Sequence, residues 1–470
     1  MNSKNYDKTL LRAILRKDFN SFIHKVFNTI NPGINYQPNW HIELIADYLE
    51  EVRNGKINRL IINMPPRALK SVCVSVAWPA WILGHDPTKR IMAASYSANL
   101  SIKHSLDCRY TVSSNWYKNI FPKTIWSKKH NQKSKFLTTE NGFRFATSVG
   151  GSATGEGGDF LIIDDPHNPT QIHSPKMRNK AIDWFEQTFL TRLNDKSKGA
   201  VVLVMQRLHE EDLSGYLISQ NSGWELLKIP VKANKSITFS VNEREYNFLE
   251  GTTLHKKRDQ EEYLIKLERE IGSQNYAAQY LQEPVPGGYS LLKLEDISFY
   301  QELPEDFEYF IQSWDSAIKT SETSDYSVCT CWGVKNKRYF LISLVRDKLS
   351  YPHLKTEAIR LAEKYHPKWI LIEDKASGQQ LIQDLRLEGF TNIIPCKPKL
   401  DKITRFASIT PIFQSGKVVL PQKAKFNAAL IKEITTFPHA KNDDIVDSIS
   451  QLLIYLKDQE HKPKLRIRHL

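Results

Sequence analysis

Two sets of side chains in this sequence have types and spacings suited to chemistry on phosphates. The first starts at Leu60-Ile61-Ile62-Asn63, a strand-like run. It leads through Met64-Pro65-Pro66-Arg67-Ala68-Leu69 into Lys70-Ser71 and then an apolar stretch with helical potential. Strand, tight loop, Lys-Ser and helix form the layout of a phosphate-binding loop. In such a loop backbone N–H groups and a helix N-terminus face the phosphates, the lysine neutralises them and the hydroxyl holds Mg²⁺. Glycine is expected at Met64 and Leu69 and is absent from both, so this segment alone reads equally as a strand, turn and helix with an incidental Lys-Ser. Further along, a glycine run from Gly150 to Gly158 leads into Phe160-Leu161-Ile162-Ile163, which ends in Asp164-Asp165-Pro166. Carboxylates so placed stand at the C-terminal edge of a buried strand, where ligands of parallel sheets bind. In a nucleoside triphosphatase Asp164 would hold the metal ion, and Asp165 would orient and deprotonate the attacking water. The plain alternative is an Asp-Pro turn closing a strand; the pairing with Lys70-Ser71 weighs against it.

The second set is acidic. Ile311-Gln312-Ser313-Trp314 ends in Asp315, and Trp369-Ile370-Leu371-Ile372 ends in Glu373-Asp374. Asn442-Asp443-Asp444-Ile445-Val446-Asp447 opens a helical stretch. Asp443 and Asp444 are four and three residues before Asp447, so acids of neighbouring turns share a helix face. Acids also favour first helical turns for the dipole alone, so each piece has an ordinary explanation. Acids from three distant elements converge only if the fold brings them together. Two-metal phosphodiester hydrolysis needs such convergence, with divalent ions about 3.5–4 Å apart. Cys329 and Cys331 occupy alternate positions of a strand-like run, with no second cysteine pair to complete a zinc site. His209 belongs to no recognisable nucleophilic triad.

The elements that must position these groups form two α/β series. The first 55 residues read as amphipathic helices broken by a turn at Asn31-Pro32-Gly33. Apolar strand-like runs then fall at 60–63, 90–94, 160–163 and 200–205, separated by helical or turn segments, the pattern of a parallel sheet covered on both faces. Residues 206–285 are more polar and read as helical, ending at the Pro/Gly cluster 283–288, the best linker candidate. Strand-like runs restart at 310–311, 327–332, 339–343 and 369–372, with helices near 351–365 and 444–456. The domain reading is therefore a helical region over 1–55, an α/β domain with its helical continuation over 56–285, a second α/β domain over 289–456, and a basic tail over 457–470. Length, 41% hydrophobic content and 25% charge fit a folded chain of two or three domains. A formal charge of +13 suits a polyanionic partner, and five scattered cysteines suit a reducing compartment. No apolar stretch is long enough to span a bilayer, and the first twenty residues lack a signal-peptide core. The expected setting is a soluble cytoplasmic protein.

Pro65 to Ser71, Ala94-Ser95-Tyr96-Ser97, the glycine run leading to Asp164-Asp165-Pro166, and Gln206-Arg207-Leu208-His209-Glu210-Glu211-Asp212-Leu213-Ser214-Gly215 occur in this order. Together they closely resemble the large terminase subunit of tailed bacteriophages, from about Gln37 to Leu456. The resemblance implies a P-loop ATPase domain with a lid-like helical region over 1–55, followed by a ribonuclease-H-like nuclease domain. It implies ATP with Mg²⁺ as cofactors, Mn²⁺ substituting in the nuclease. Arg67, Lys70, Ser71 and Asp164 would bind the nucleotide and its metal, with Asp165 catalytic. Residues 206–215 look like the coupling region that senses the γ-phosphate, and Gln37 to His41 resembles the adenine-side motif. Among Arg67, Arg109, Arg144 and Arg207 as candidate arginines, Arg67 is placed at the nucleotide and the finger is unassigned. Family loops often carry glycine where Leu69 stands, so either this loop closes without a left-handed glycine or the ATPase is weakened. In the nuclease, Asp315 is the first-strand ligand, Glu373 or Asp374 the second, and Asp443 or Asp444 the third, with Asp447 in support. Lys402 and Arg405, in a segment resembling the basic region near the scissile phosphate, would contact DNA. Implied partners are double-stranded DNA, a small terminase subunit, a portal protein and further copies of the chain in a ring on the procapsid, with no membrane. The implied setting is the bacterial host cytoplasm, and the implied origin a phage or prophage. A helicase-like repair ATPase–nuclease would show further helicase motifs, which are not found. An inactive prophage remnant is favoured only by Leu69.

Overall fold

The computed structural model describes residues 3–153, 155–285, 290–316, 326–375, 377–440 and 442–460. Thr154 of the glycine run, residues 286–289 of the Pro/Gly cluster and the tail from 461 lie outside the described residues. The chain divides into two compact units. One comprises residues 1–268 and 273–287, the other residues 269–272 and 288–470.

The first unit is built on an eight-stranded sheet. Its strands are β1 (Arg59–Asn63), β2 (Arg90–Ser95), β3 (Trp126–Asn131), β4 (Lys135–Thr138), β5 (Phe143–Ser148), β6 (Phe160–Asp164), β7 (Ala200–Met205) and β8 (Glu225–Lys228), in the order β3-β4-β5-β2-β6-β7-β1-β8. From β5 to β8 every pairing is parallel, and β3 and β4 extend the edge antiparallel. The apolar runs are continuous because both faces are covered. Leu60, Ile62, Ile162, Val202 and Val204 pack into a core on one face, while Ile61, Leu161, Ile163, Val201 and Leu203 pack into one on the other. Register aligns the strand ends: Asn63 lies opposite Met205, and Asp164 opposite Val204. Whatever follows β1, β6 and β7 therefore emerges at one edge.

The N-terminal helices Phe19–Ile30 and Trp40–Arg53, broken by a turn near Asn31–Gly33 as expected, bury Phe22, Ile23, Ile45 and Leu49 in the same core as Trp78 and Trp81. This segment is thus a wall of the unit. The helical expectation for 206–285 needs correction. That stretch contributes β8 to the sheet and a hairpin of β9 (Ile237–Val241) and β10 (Arg244–Phe248), besides helices Leu213–Ser219, Glu261–Ile271 and Ser273–Gln279. Exposed positions in these strands masked the periodicity. The burial of β8 runs exposed, exposed, buried, half-buried.

The second unit holds a seven-stranded sheet of β11 (Ser298–Tyr300), β12 (Tyr309–Asp315), β13 (Ser327–Lys335), β14 (Arg338–Asp347), β15 (Trp369–Glu373), β16 (Ile393–Cys396) and β17 (Val418–Pro421), in the order β11-β17-β14-β13-β12-β15-β16. β13 runs antiparallel to both neighbours, and β12, β15 and β16 are mutually parallel. Helices Tyr351–Tyr365 and Ser377–Leu387 share a core with Trp314, Ile370 and Ile372. Helix Asp444–Glu460 packs with Ile311 and Leu371, which point the other way by strand alternation. Among the described residues no helix is long and apolar enough to cross a membrane.

Each unit carries its own buried cores, and the second lies within ordinary domain size. A fragment from Ser290 to Leu470 should therefore fold alone and melt in one cooperative transition by circular dichroism. A gradual, uncooperative melt would show that these cores do not suffice.

Candidate functional sites

The loop after β1 closes without glycine. Arg67 and Leu69 themselves take the left-handed conformation, with φ of 62° and 64°. For a residue with a Cβ this costs roughly 1–2 kcal/mol each. Part of that cost is offset at Leu69, whose side chain packs against the core. The loop is braced from outside: Arg258 Nη1 donates to Arg67 O at 2.7 Å, and His41 Nε2 lies 3.3 Å from Ala68 O. Burial pulls the His41 pKa down to about 4, so its ring is neutral and Nε2–H is the donor. Gln37 to Trp40 and residues 247–257 line an open cavity of roughly 660 Å³ beside these braces.

Lys70 and Ser71 open the helix that follows, and its turns Val72–Ala77 are π-helical. Pro79 has no N–H to give the Ser75 carbonyl four residues back. Arg144 Nη2 donates to that oxygen instead, at 3.1 Å. Ser71 Oγ and Ser75 Oγ donate to the two Asp164 oxygens at 3.0 and 2.6 Å, and His104 Nδ1 lies 3.4 Å from the second. Burial raises the Asp164 pKa above the ordinary carboxylate range, against the pull of these hydroxyls and of Lys70. Asp165, left-handed at φ 48°, turns its carboxylate to Lys70 Nζ at 3.0 Å and accepts Gln206 N–H at 3.2 Å. Burial raises its pKa too, and the Asp164 charge adds to the rise.

The expected coupling segment leaves β7 at this edge. Asp212 caps the helix Leu213–Ser219 and takes a two-pronged contact from Arg207 Nε, 3.0 Å to each oxygen. Ser214 Oγ donates to Asn63 Oδ1 at 2.8 Å, and Leu213 N–H to His167 Nε2 at 2.8 Å. The segment is thus hydrogen-bonded to the end of β1 and to the turn after Asp165. Of the candidate arginines, Arg67 is exposed on the loop, Arg144 is fully buried, and Arg207 is engaged with Asp212. Arg109 donates to Asn131 O at 3.4 Å. Ser75, His104 and Arg258 were not legible as site residues, because a lone serine, histidine or arginine in a long chain carries no spacing signal.

In the second unit, the paired acids are placed differently. Trp314 lies opposite Ile372, so Asp315 and Glu373 continue the pairing and share the face that carries helix Asp444–Glu460. Alternation turns Asp374 away; it lies 3.3 Å from Lys397. The helix is pinned to β12. Ser313 Oγ donates to Ser448 O at 2.7 Å, Ser448 Oγ to Ser313 O at 2.9 Å, and Gln451 Nε2 to Ser313 Oγ at 3.0 Å. Glu433 holds its start by accepting Ile445 and Val446 N–H at 2.7 and 3.0 Å. The result brings Asp447, Glu373 and Asp444 around Asp315. Burial first, then the Asp447 charge and contact with Glu373, push the Asp315 pKa well above the carboxylate range.

The other acids are held by bases: Glu373 by Lys375 at 2.8 Å, and Asp444 by Arg346 at 3.7 Å. Asp443 pairs with Lys402 at 2.7 Å, and Asp447 with Lys402 at 2.8 Å and Arg405 at 2.7 Å. Arg405, expected to contact DNA, is only 7% exposed and buried against Asp447, so it supports an acid instead of facing solvent. Asp447, expected in support, is the more central member of its helix turn. Among the described residues no three His, Cys, Asp or Glu side chains are drawn into one coordination sphere. The donor set of mutually repelling carboxylates is nonetheless that of a hard divalent cation.

Residues 312–456 match the family model of the terminase RNaseH-like domain. The chain is similar to the large terminase of a thermophilic bacteriophage, with TM-score 0.52 and 11% identity over 87% of this chain and 98% of that one. Fold and family model define the class: a large-terminase fold, with the terminase RNaseH-like domain in the second unit. Two further similarities are to the large terminase of bacteriophage HK97 (TM-score 0.40, 10% identity, 93% of this chain and 99% of that one) and to the large terminase nuclease of thermophilic phage G20c with bound magnesium (0.29, 15%, 36% and 98%). No curated protein matches the chain.

Leu69→Gly removes the left-handed strain and one apolar contact, so melting should shift by only a few degrees. A much larger drop in melting temperature would mean that the leucine side chain itself shapes the loop. Burial pushes the Glu433 carboxyl from its usual 4.5 up to about 7. Its stabilising contribution is therefore full below about 4.5 and lost as pH rises through about 7. Glu433→Gln should flatten the fall in stability between those values, and an unchanged pH profile of melting would refute this.

Proposed function

We propose that this chain is the large subunit of a phage terminase, which hydrolyses ATP to drive double-stranded DNA into a procapsid and cuts concatemeric DNA. The carrying observation is the presence of both sheet edges in one large-terminase fold: Lys70, Ser71, Asp164 and Asp165 at one, Asp315, Glu373 and Asp447 at the other.

At the first edge the loop N–H groups and Lys70 bind the β- and γ-phosphates. Ser71 and Asp164 would hold the magnesium ion that accompanies ATP, and that ion would supply charge neutralisation on the phosphates. Asp165, released from Lys70 by the incoming phosphate, accepts the proton of the attacking water. Its raised pKa suits a base that must take that proton. Gln206, whose N–H binds Asp165, starts the segment leading to Arg207 and Asp212, so a change at the γ-phosphate passes to the helix Leu213–Ser219.

At the second edge Asp315, Glu373 and Asp447 would hold the divalent ions, with Asp443 and Asp444 flanking. Asp374, an equal candidate by sequence, is given no ligand role in this reading because its carboxylate faces Lys397. Divalent ions held there, Mg²⁺ or Mn²⁺, would supply activation of water and stabilisation of the leaving oxygen. Phosphate contacts, Lys402 among them, position the duplex without reading bases. A small terminase subunit, a portal protein and a ring of copies on the procapsid, in the bacterial host cytoplasm, complete this reading.

Crossed mutants test it. Lys70→Ala and Asp165→Asn should each lower DNA-stimulated ATP turnover by about a hundredfold or more, leaving plasmid cleavage by the Ser290–Leu470 fragment untouched. Asp315→Ala should silence cleavage and spare ATP turnover. Wild-type turnover in Asp165→Asn would remove it as the base, and undiminished cleavage in Asp315→Ala would overturn the ligand choice. Failure of the active protein to package DNA into cognate procapsids would favour a repair enzyme.

A further inference from the structure

The ion pairs of the second unit differ in how firmly they are held, and an inference follows that rests on the nuclease reading above. Arg405 and Asp447 are both buried, so separating them would leave a charge uncompensated in the interior, at high cost. Lys402 is different. Its side chain remains 46% exposed, yet its ammonium reaches Asp443 Oδ1 at 2.7 Å and Asp447 Oδ2 at 2.8 Å. The reach is directed by the helix Lys402–Ala407, whose cap Asp401 accepts Thr404 N–H and Thr404 Oγ–H at 3.0 and 2.9 Å. An ammonium is a compact point charge. Here it lies between carboxylates one helical turn apart, in the position of a hard cation bridging the same oxygens. Because it is half in water, leaving costs little.

We propose that Lys402 is an exchangeable cation of the nuclease site. It holds the Asp443 and Asp447 oxygens until a divalent ion takes them, and then turns to a DNA phosphate. Lysine and metal compete for the same oxygens, so each weakens the other's hold. A phosphate that draws the ammonium away relieves the competition. Metal and DNA therefore bind with positive coupling, and by reciprocity each strengthens the other to the same degree. Arg405 remains with Asp447 throughout.

The test is calorimetric titration of the full chain with Mn²⁺, without nucleotide, comparing wild type, Lys402→Gln, Lys402→Arg and Asp315→Ala. Lys402→Gln removes the competing charge and should bind Mn²⁺ roughly three- to tenfold more tightly than wild type, the size of a part-exposed ion pair. Lys402→Arg keeps the charge and should stay near wild type. Duplex DNA affinity, measured in Ca²⁺ and in EDTA, should rise with Ca²⁺ for wild type and rise less for Lys402→Gln. Equal or weaker Mn²⁺ affinity in Lys402→Gln overturns the proposal, because damage to the fold or to a ligand weakens metal binding and does not tighten it. Mn²⁺ binding that is the same in wild type and Asp315→Ala overturns the nuclease reading itself.

Discussion

A carboxylate removed from water must be answered by a cation or by donors within hydrogen-bond reach, and both sites of this protein are arranged by that requirement. Ending an apolar strand in an acid exposes the group to the edge where ligands bind but leaves half of it in the interior. Asp164 is met by two hydroxyls, Asp165 by Lys70, and Asp447 by a lysine and an arginine. Each answer comes from a different element, so satisfying the acids also locks those elements together. The helix after β1 is held to β6 through Ser71 and Ser75, and the helix Lys402–Ala407 to Asp444–Glu460 through Arg405. The groups proposed to bind ligand are the same ones that fasten the fold.

The two units use the sheet edge differently. In the first, parallel strands place loop, acids and coupling segment side by side without further help, because their ends are in register. In the second, the acids come from two strands and a helix lying across them, and strand pairing says nothing about where that helix starts. The reciprocal hydrogen bonds of Ser313 and Ser448, and the Glu433 carboxylate on the helix N-terminus, supply the missing constraint.

Much of this was legible in the sequence because strongly apolar strands and terminal acids leave a strong local signal. β1, β2, β6, β7 and β12 fall where the apolar runs do, and Lys70-Ser71 and Asp164-Asp165 meet as their spacing suggested. What escaped was set by partners distant in the chain. β8, β9 and β10 are half-exposed and lack an apolar run, so the polar stretch 206–285 read as helical. The choice of Glu373 over Asp374 depends on register with β12, and the burial of Arg405 on packing against Asp447. Closure at Leu69 without a glycine was one of two readings that the sequence left open, since it rests on braces from His41 and Arg258.

Pro79 and Arg144 illustrate the other side of that dependence. The proline withholds an N–H from the helix that begins with Lys70, and a buried guanidinium from β5 fills the gap at the Ser75 carbonyl. The two positions consequently do not bear substitution equally. An N–H regained at position 79 would share the two lone pairs of the carbonyl with the guanidinium. Losing Arg144 would remove a buried donor while the proline still withholds its own, on the π-helical turn that presents Ser75 to Asp164. The cost of change therefore falls on position 144.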